Sequence, residues 1–424
     1  MKKIITLLLC LAFVVTIFVA CNKVDNTEQD IDPIDPSTLS AAKNYVPDSG
    51  AVLTAYANYN IETFGGVCQY YYDAGYEVYC SSDLNGNLFK TFTKDDALAH
   101  VYWIDSAQEL NIVTDPNGAA GLPENIADTS GIKPTSITQL QQKTTQTSGM
   151  AYIIQLSDGS FIIYDGGYAD TVEELVNTLV KLNDNKKDNI HIRAWLITHS
   201  HDDHYSCFSE FAQSYESRKA LGLNVQLDSV LIAPVNDTDI LNLDFGANYL
   251  NSTIHTDLEK FEGAKICYVY TGMTFNLANV RLEILMTPDE IFIDGALDYF
   301  NETSIVSRIS AINPEESGEA LSMILLGDAG NEVAKRLMLY YESELRTEII
   351  QISHHGVENF PLLAYQIIRP SILFYPCNTD LYNLTDRDAD VRQALRISPF
   401  TKEILLRDDD LYTRYLNPSL NPIQ

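Results

Sequence analysis

The sequence predicts an α/β protein, a four-layer α/β/β/α sandwich with a small β-rich region on its N-terminal side. Two observations carry that reading. A strand–strand–helix–strand order occurs once between residues 151 and 198 and again between residues 304 and 352, with no repeat at the level of letters. In both places His and Asp cluster just past the strand ends, the usual position of chemistry in an α/β sheet. Packed face to face, two such units put sheet on sheet, helices outside, and the polar strand ends along one edge.

The first unit begins near Met150. Ala151–Leu156 and Phe161–Tyr164 are apolar runs joined by Ser157-Asp158-Gly159-Ser160, a hairpin that ends in Asp165-Gly166-Gly167. A helix follows. Asp170 can cap it with Glu173 three residues on, and Val172, Leu175, Val176, Leu179 and Val180 share one face. Ile190–Thr198 then alternates and runs apolar, a buried strand that delivers Thr198-His199-Ser200-His201-Asp202-Asp203-His204-Tyr205 as a loop. In the second unit Ser304–Ile312 and Ser322–Leu326 are strands, the latter ending in Gly327-Asp328-Ala329-Gly330. A helix over Glu332–Ser343 leads to the strand Glu348–Ile352, which ends in Ser353-His354-His355-Gly356.

The N-terminal part reads as address, tether and accessory region. Lys2 and Lys3 precede an apolar run from Ile4 to Ala20, a targeting segment. The run closes on Phe18-Val19-Ala20-Cys21, which resembles a bacterial lipoprotein signal with Cys21 as the lipidated residue; Phe18 stands where Leu is usual. The other reading is an ordinary secretory signal or a single anchor. The expected division is a signal over 1–20, a tether rich in Asp, Pro and Asn over 21–44, a β-rich region over 45–140, and the two-unit body over 150–424. Ala51–Phe92 is Tyr-rich and strand-like, with turns at Asp73-Ala74-Gly75 and Asn85-Gly86-Asn87. A hairpin centred on Ala74 would set Cys68 opposite Cys80, close enough to bridge.

Composition narrows the partners. With 28 Lys and Arg against 58 Asp and Glu, the net charge is −30, and loss of Lys2 and Lys3 with the signal makes it −30 − 2 = −32. Such a surface excludes tight binding of double-stranded nucleic acid, which needs a basic footprint. It does not exclude a small-molecule or phosphodiester substrate, because bound metal ions reverse the sign locally. Membrane contact is expected through the lipid anchor alone. Of seven Cys, Cys10 leaves with the signal and Cys21 takes the lipid. The odd remainder argues against a full disulfide framework, and no Cys-x-x-Cys pair points to thiolate-bound zinc.

The chemistry lies in the His block. Three of the chain's 8 His fall there beside Asp203. His199 and His201 are alternate residues, which an extended backbone points the same way. Imidazole with carboxylate suits zinc, iron or manganese, and such a chain can hold two ions roughly 3.5–4 Å apart. His100, His191 and His255 read as surface residues.

The His199-x-His201-x-Asp203-His204 block resembles the signature of the metallo-β-lactamase superfamily, and Asp165-Gly166-Gly167, Asp328 and His354-His355-Gly356 follow in matching order. The later pieces resemble most the periplasmic hydrolase domain of competence DNA-uptake (ComEC-like) proteins, with Phe300-Asn301-Glu302-Thr303-Ser304 ahead of Gly327-Asp328-Ala329. Val357 stands where that pattern has Ser. The resemblance implies two divalent ions, zinc first with manganese or iron as the other candidates. His199 and His201 would hold one ion, and Asp203 and His204 the other. Asp328 would bridge them, and His354 or His355 would complete the second site. Asp165 would be an outer carboxylate that orients the ligands; alone, Asp328 would read as a helix cap and Asp165 as a turn residue. The superfamily's third His of the first site is missing: Thr287-Pro288-Asp289-Glu290 stands there, with Glu290 as a substitute ligand or as a solvent-facing acid. The implied activity is hydrolysis of a phosphodiester by a metal-bridging hydroxide, with Asp203 and Asp328 as the catalytic carboxylates. The alternatives are an iron-dependent oxidoreductase on the same scaffold and a catalytically weak binding protein.

Overall fold

The structure, a computed structural model, describes residues 31–41, 43–141, 148–239, 251–295, 300–312, 321–357, 360–384, 388–408 and 411–421. The targeting segment, Cys21 and the start of the tether lie outside the described residues.

Alternation along Phe161–Asp165 sets the plan of the body. Phe161 and Ile163 pack in one apolar cluster with the helices Val172–Leu182 and Asp202–Ala220, whereas Ile162 and Tyr164 join a second cluster that reaches across to another sheet. A strand with apolar side chains on both faces must be covered on both. The result is the expected four-layer sandwich. Its first sheet has seven strands, in the order Lys265–Tyr268, Val225–Ile232, Ile190–Leu196, Phe161–Asp165, Ala151–Gln155, Ser136–Gln139 and Tyr412–Tyr415. Its second has eight, in the order Glu403–Leu406, Ile372–Tyr375, Ile349–Gln351, Ser322–Leu325, Val306–Ala311, Val280–Met286, Thr274–Ala278 and Ile126–Ala127. The Tyr164 and Ser307 hydroxyls meet across the gap at 2.6 Å.

In each sheet the strand after the helix lies parallel to the strand before it: Phe161–Asp165 beside Ile190–Leu196, and Ser322–Leu325 beside Ile349–Gln351. Parallel strands end on the same side, so their C-terminal loops collect at one edge. Two local expectations shift. The helix after the hairpin starts at Val172, with Asp170 in a preceding 3-10 turn and no side-chain cap. The His block is only half a loop: His201 is the N-cap of the helix Asp202–Ala220, which puts Asp203 and His204 in its first turn.

The N-terminal region forms a six-stranded antiparallel sheet over Lys43–Tyr45, Val52–Ala57, Glu109–Asp115, Ala97–Ile104, Asn87–Lys94 and Glu77–Leu84, in that spatial order. One expectation fails here. Ile61–Asp73 is a helix, begun by Asn60, whose side chain accepts from Thr63 N at 3.0 Å. Phe64, Val67, Cys68 and Tyr71 are buried, at the i, i+3, i+4, i+7 spacing of a helical face. Cys68 therefore sits on a helix rather than opposite Cys80, and both thiols are free. The Asn85-Gly86 turn does form, with φ of 57° and 79° at its two residues, the left-handed geometry that a two-residue hairpin requires.

This sheet rests on the body without a gap. Asn87 Nδ2 donates to Tyr340 O at 2.6 Å, and at Gly272 (φ +87°) a Cβ would lie 1.7 Å from Phe89 Cδ1. His100, expected at the surface, is buried in this contact. Its Nε2–H donates to Thr271 O at 2.8 Å, Thr91 Oγ1 lies 2.9 Å from Nδ1, and burial pushes its pKa down to about 4. The body also begins before residue 140, because Ile126–Ala127 and Ser136–Gln139 pair into its two sheets. No helix among the described residues is long and apolar enough to cross a membrane.

The five thiols of Cys68, Cys80, Cys207, Cys267 and Cys377 are all free and buried. Alkylation of unfolded, unreduced protein should therefore label every one of them. A Cys68–Cys80 peptide pair linked by a bond that only reductant cleaves would contradict the helix.

Candidate metal centre

The site is assembled from the ends of four strands. Phe161–Asp165 ends on Asp165, held in the left-handed region at φ 50°. Its carboxylate reaches sideways to the next strand end, accepting from Thr198 N at 2.7 Å and from Thr198 Oγ1 at 2.8 Å. The same carboxylate takes a hydrogen bond from His204 Nδ1 at 2.7 Å. That bond fixes the tautomer and leaves His204 Nε2 facing inward.

Two groups of ligand-type side chains result. In one, His199, His201 and Asp328 bring ligand atoms within 4.8 Å of one another; in the other, Asp203, His204 and His355 do. His199 Nε2 and His201 Nδ1 stand 3.0 Å apart. Asp203 Oδ2 is 2.9 Å from His355 Nε2, and Asp203 Oδ1 is 3.8 Å from His204 Nε2. Asp328 joins the groups: its Oδ2 lies 3.2 Å from His204 Nε2 and 3.4 Å from His355 Nε2. Asp328 Oδ1 is buried without a hydrogen-bond partner, and buried His204 Nε2 has the Asp328 carboxylate beside it but no partner in good hydrogen-bond geometry. Buried polar atoms are nearly always paired, so these two atoms fit metal ligands better than structural groups.

The geometry separates the two His of the Ser353-His354-His355-Gly356 turn. Both are in the left-handed region, at φ 46° and 56°. His355 donates through Nδ1 to Pro376 O at 3.1 Å, which turns its Nε2 into the cluster. His354 lies at the rim, with Nε2 3.1 Å from the Asn301 amide and 3.9 Å from Asp328 Oδ2. It belongs to neither group.

The electrostatics call for cations. Burial alone would push both imidazoles down. Against it, Asp328, Asp165 and Asp203 raise His204 well above its ordinary value, and Asp328 and Asp203 raise His355 to about 9. Burial would push the Asp203 and Asp328 carboxyls up, but His204 and His355 hold both well below the usual range. His199 goes the other way, driven well down by burial and by its His204 and His201 neighbours, so it presents a neutral lone pair. Neutral imidazole and ionised carboxylate are the forms that bind metal.

Glu290 is not part of this site. It is 3% exposed, so it is no solvent-facing acid, and the charges acting on it are those of Arg336, Asp289 and Glu109. Pro288 opens a short helix, Asp289–Ile293, that carries the carboxylate away. Phe300 lies beside the first group instead, its ring centroid 4.3 Å from that of His201. Among the described residues, the first group has no fourth ligand side chain.

Of three supporting residues, Gln351 had no signal in the sequence, while Glu302 and Ser304 stood in the Phe300–Ser304 motif with no role assigned to either. Gln351 Oε1 accepts from Leu326 N and Gly327 N at 2.7 and 2.8 Å, and its Nε2 donates to Gly327 O, tying the Asp328 turn to the His strand. Ser304 Oγ accepts from Asp328 N at 3.0 Å. Glu302 accepts from the backbone N–H groups of Gly330, Glu332 and Val333 at 3.0–3.2 Å, capping the helix Asn331–Tyr341 with a carboxylate some 30 residues distant in sequence. Glu in that motif could have been read as a remote cap only with the fold in hand.

Residues 144–221 match the model of the Metallo-beta-lactamase superfamily, a segment that holds Asp165, His199, His201, Asp203 and His204. Similar solved structures include the metallo-beta-lactamase fold protein YhfI from Bacillus subtilis (10% identity, TM-score 0.40, 66% of this chain and 100% of that one). Igni18, a metallo hydrolase from the archaeon Ignicoccus hospitalis KIN4/I, gives 13% identity and a TM-score of 0.38 over 66% of this chain and 99% of its own. A long form RNase Z from yeast gives 9% identity and 0.36 over 71% and 44%. A search of the curated proteins finds no match.

The two groups are unequal in protein ligands, so a chelator titration followed by metal analysis should remove one ion well before the other. Simultaneous loss at one chelator concentration would contradict the assignment of ligands. Replacing Glu302 by Gln leaves one oxygen to accept and sets an amide N–H₂ against at least one of the three N–H groups, since Oε1 serves Glu332 and Oε2 serves Gly330 and Val333. It should cost about 1–3 kcal/mol, read as a lower melting temperature.

Proposed function

We propose that this chain, which carries a metallo-β-lactamase superfamily domain, is a hydrolase dependent on two divalent ions. The observation that carries the reading is the meeting of the two ligand groups at Asp328, within 3.4 Å of both His204 and His355 Nε2. His199, His201 and Asp328 would hold one ion. Asp203, His204, His355 and Asp328 would hold the other. An imidazole-rich donor set with carboxylates suits zinc. Ions held in this way lower the pKa of bound water toward neutrality and stabilise charge that develops on the substrate.

The chain's own residues position that chemistry. Asp165 orients His204, Pro376 O orients His355, and Ser304 with Gln351 fixes the turn that bears Asp328. No thiol among the described residues competes as a nucleophile: all five are buried, and burial pushes Cys68 and Cys377 up to about 12. His354, at the rim, would face the approaching substrate, backed by the buried Asn301 amide 3.1 Å from its Nε2.

For the substrate we propose a small or single-stranded phosphodiester. The support is the resemblance of Asn301–Ser304, Gly327-Asp328-Ala329 and His354-His355-Gly356 to the competence-type hydrolases. The net charge of −30 opposes long polyanions at a distance, so capture depends on the metal centre at short range. We also propose export, with attachment to the cell envelope through lipid on Cys21; the support is Lys2 and Lys3, the apolar run and Ala20-Cys21.

Metal analysis of purified protein tests the reading first, with two zinc ions per chain expected; iron would redirect it to redox chemistry, and no metal would end it. Asp328→Ala should abolish turnover and leave the circular dichroism spectrum unchanged, because the residue sits on a turn. Cleavage of β-lactams with no activity on any phosphodiester would overturn the substrate class alone.

A further inference from the structure

The residues that replace the missing metal ligand do something else. Asp289 and Glu290 are 1% and 3% exposed, and none of their four carboxylate oxygens has a hydrogen-bond partner of ordinary geometry. Facing them from the N-terminal sheet is Tyr102, 0% exposed, whose hydroxyl has no such partner either. Glu290 and then Asp289 are the charges that act most strongly on that hydroxyl.

Their short helix lies where the N-terminal sheet meets the body. Phe292 stacks on Tyr45 with ring centroids 5.2 Å apart and planes within 4°. Lys43 pairs with Asp294, as does Arg336 from the helix Asn331–Tyr341. Arg336 is thus already engaged by Asp294, and it also donates to the Tyr340 hydroxyl. It acts on both buried carboxyls but hydrogen-bonds neither.

The other groups that face the pair are acidic or neutral: Glu109, Tyr45, Tyr102 and Tyr270 on the N-terminal side and in the adjoining loop, and Tyr340 and Tyr341 on the helix. Burial pushes every one of these tyrosines up, so they stay neutral through the working range. The donors nearest the pair are the Thr287 hydroxyl and the backbone N–H groups of residues 289 and 290 for Asp289, and the Thr271 hydroxyl for Glu290; they ease ionisation without reaching hydrogen-bond geometry. An ionised carboxylate so weakly served is expensive in such a place, and it takes up a proton instead.

We propose that Asp289 and Glu290 form a proton-held latch between the N-terminal sheet and the metal-binding body, closed while both carboxyls are neutral and loosened when they ionise. Burial is the main cause that raises Asp289 to about 6 and Glu290 to about 7. A carboxyl raised in this way favours the docked state fully below its ordinary value, 3.8 for Asp and 4.5 for Glu. That preference is lost as pH rises through about 6 and about 7. The sense is opposite to that of a salt-bridged acid. The latch lies close to the metal centre, because the strand Val280–Met286 that leads into it pairs with Val306–Ala311, two residues beyond Ser304.

The test uses the full mature chain with its metal bound. Hydrogen exchange, corrected for the intrinsic rate, is followed over residues 43–45, 98–104 and 287–293 at pH 5.5 and 8.5, with the melting temperature at both. Wild type should lose protection in these segments, and several degrees of melting temperature, at the higher pH. Glu290→Gln and Asp289→Asn mimic the neutral forms and should each shrink the loss. Protection in wild type that does not change with pH would overturn the latch, whatever the variants do. A loss of equal size in both variants would also overturn it. So would full recovery of wild type at pH 8.5 on adding sodium, magnesium or calcium, since the carboxylates would then hold a cation rather than protons.

Discussion

Three carboxylates set among imidazoles, two of them buried, constrain the rest of the body. Asp165, Asp203 and Asp328 are brought to one edge by strand ends in two different sheets, and no Lys or Arg side chain ion-pairs with them among the described residues. At the low effective dielectric of a protein interior, like charges this close repel strongly. Only positive charge at the centre balances them. His204 and His355 feel that demand as pKa values driven upward against their own burial. A fold that gathers so much negative charge needs rigid supports, and the two parallel strand pairs provide them.

The supports are polar rather than apolar. Strand ends leave backbone N–H groups without ladder partners, and here side chains from elsewhere take them: Asp165 for Thr198, Gln351 for Leu326 and Gly327, Ser304 for Asp328, Glu302 for the start of a helix. Each satisfies a buried donor and sets the direction of a ligand loop in the same contact. Asp165, His354 and His355 adopt left-handed backbone angles that cost energy for residues with a Cβ. Such strain persists only where the surroundings over-determine it, and all three residues lie at or beside the ligand groups.

The N-terminal sheet is bound to this body by a shared core. Phe89, Tyr102 and Val113 pack in one cluster with Ile284, Leu325 and Tyr341. Polar atoms in that contact are of two kinds. His100 is fully paired and stays neutral. Asp289 and Glu290 have no partner in hydrogen-bond geometry, and on the latch proposed above that difference makes the one inert and the others sensitive to pH.

What the sequence determined by itself was local. Alternation between residues 151 and 198, and the repeated element order after residue 304, led to the layers of the fold, because the side-chain period of a strand follows from the backbone. His199, His201, Asp203 and His204 were legible as one group because six residues cannot carry them far apart. Local readings failed wherever a distant partner decided. Cys68 and Cys80 were placed opposite each other, although the spacing of Phe64, Val67, Cys68 and Tyr71 already fitted a helix; burial against the sheet selected that period. Letters alone gave His354 and His355 equal claims, and the Pro376 carbonyl chose His355. Glu290 stood at the right place in the order and points elsewhere, because the helical turn after Pro288 sends it toward Arg336 and the N-terminal sheet. Direction of a side chain and the company it keeps are set by packing between elements far apart in the chain, and only the tertiary structure decided those.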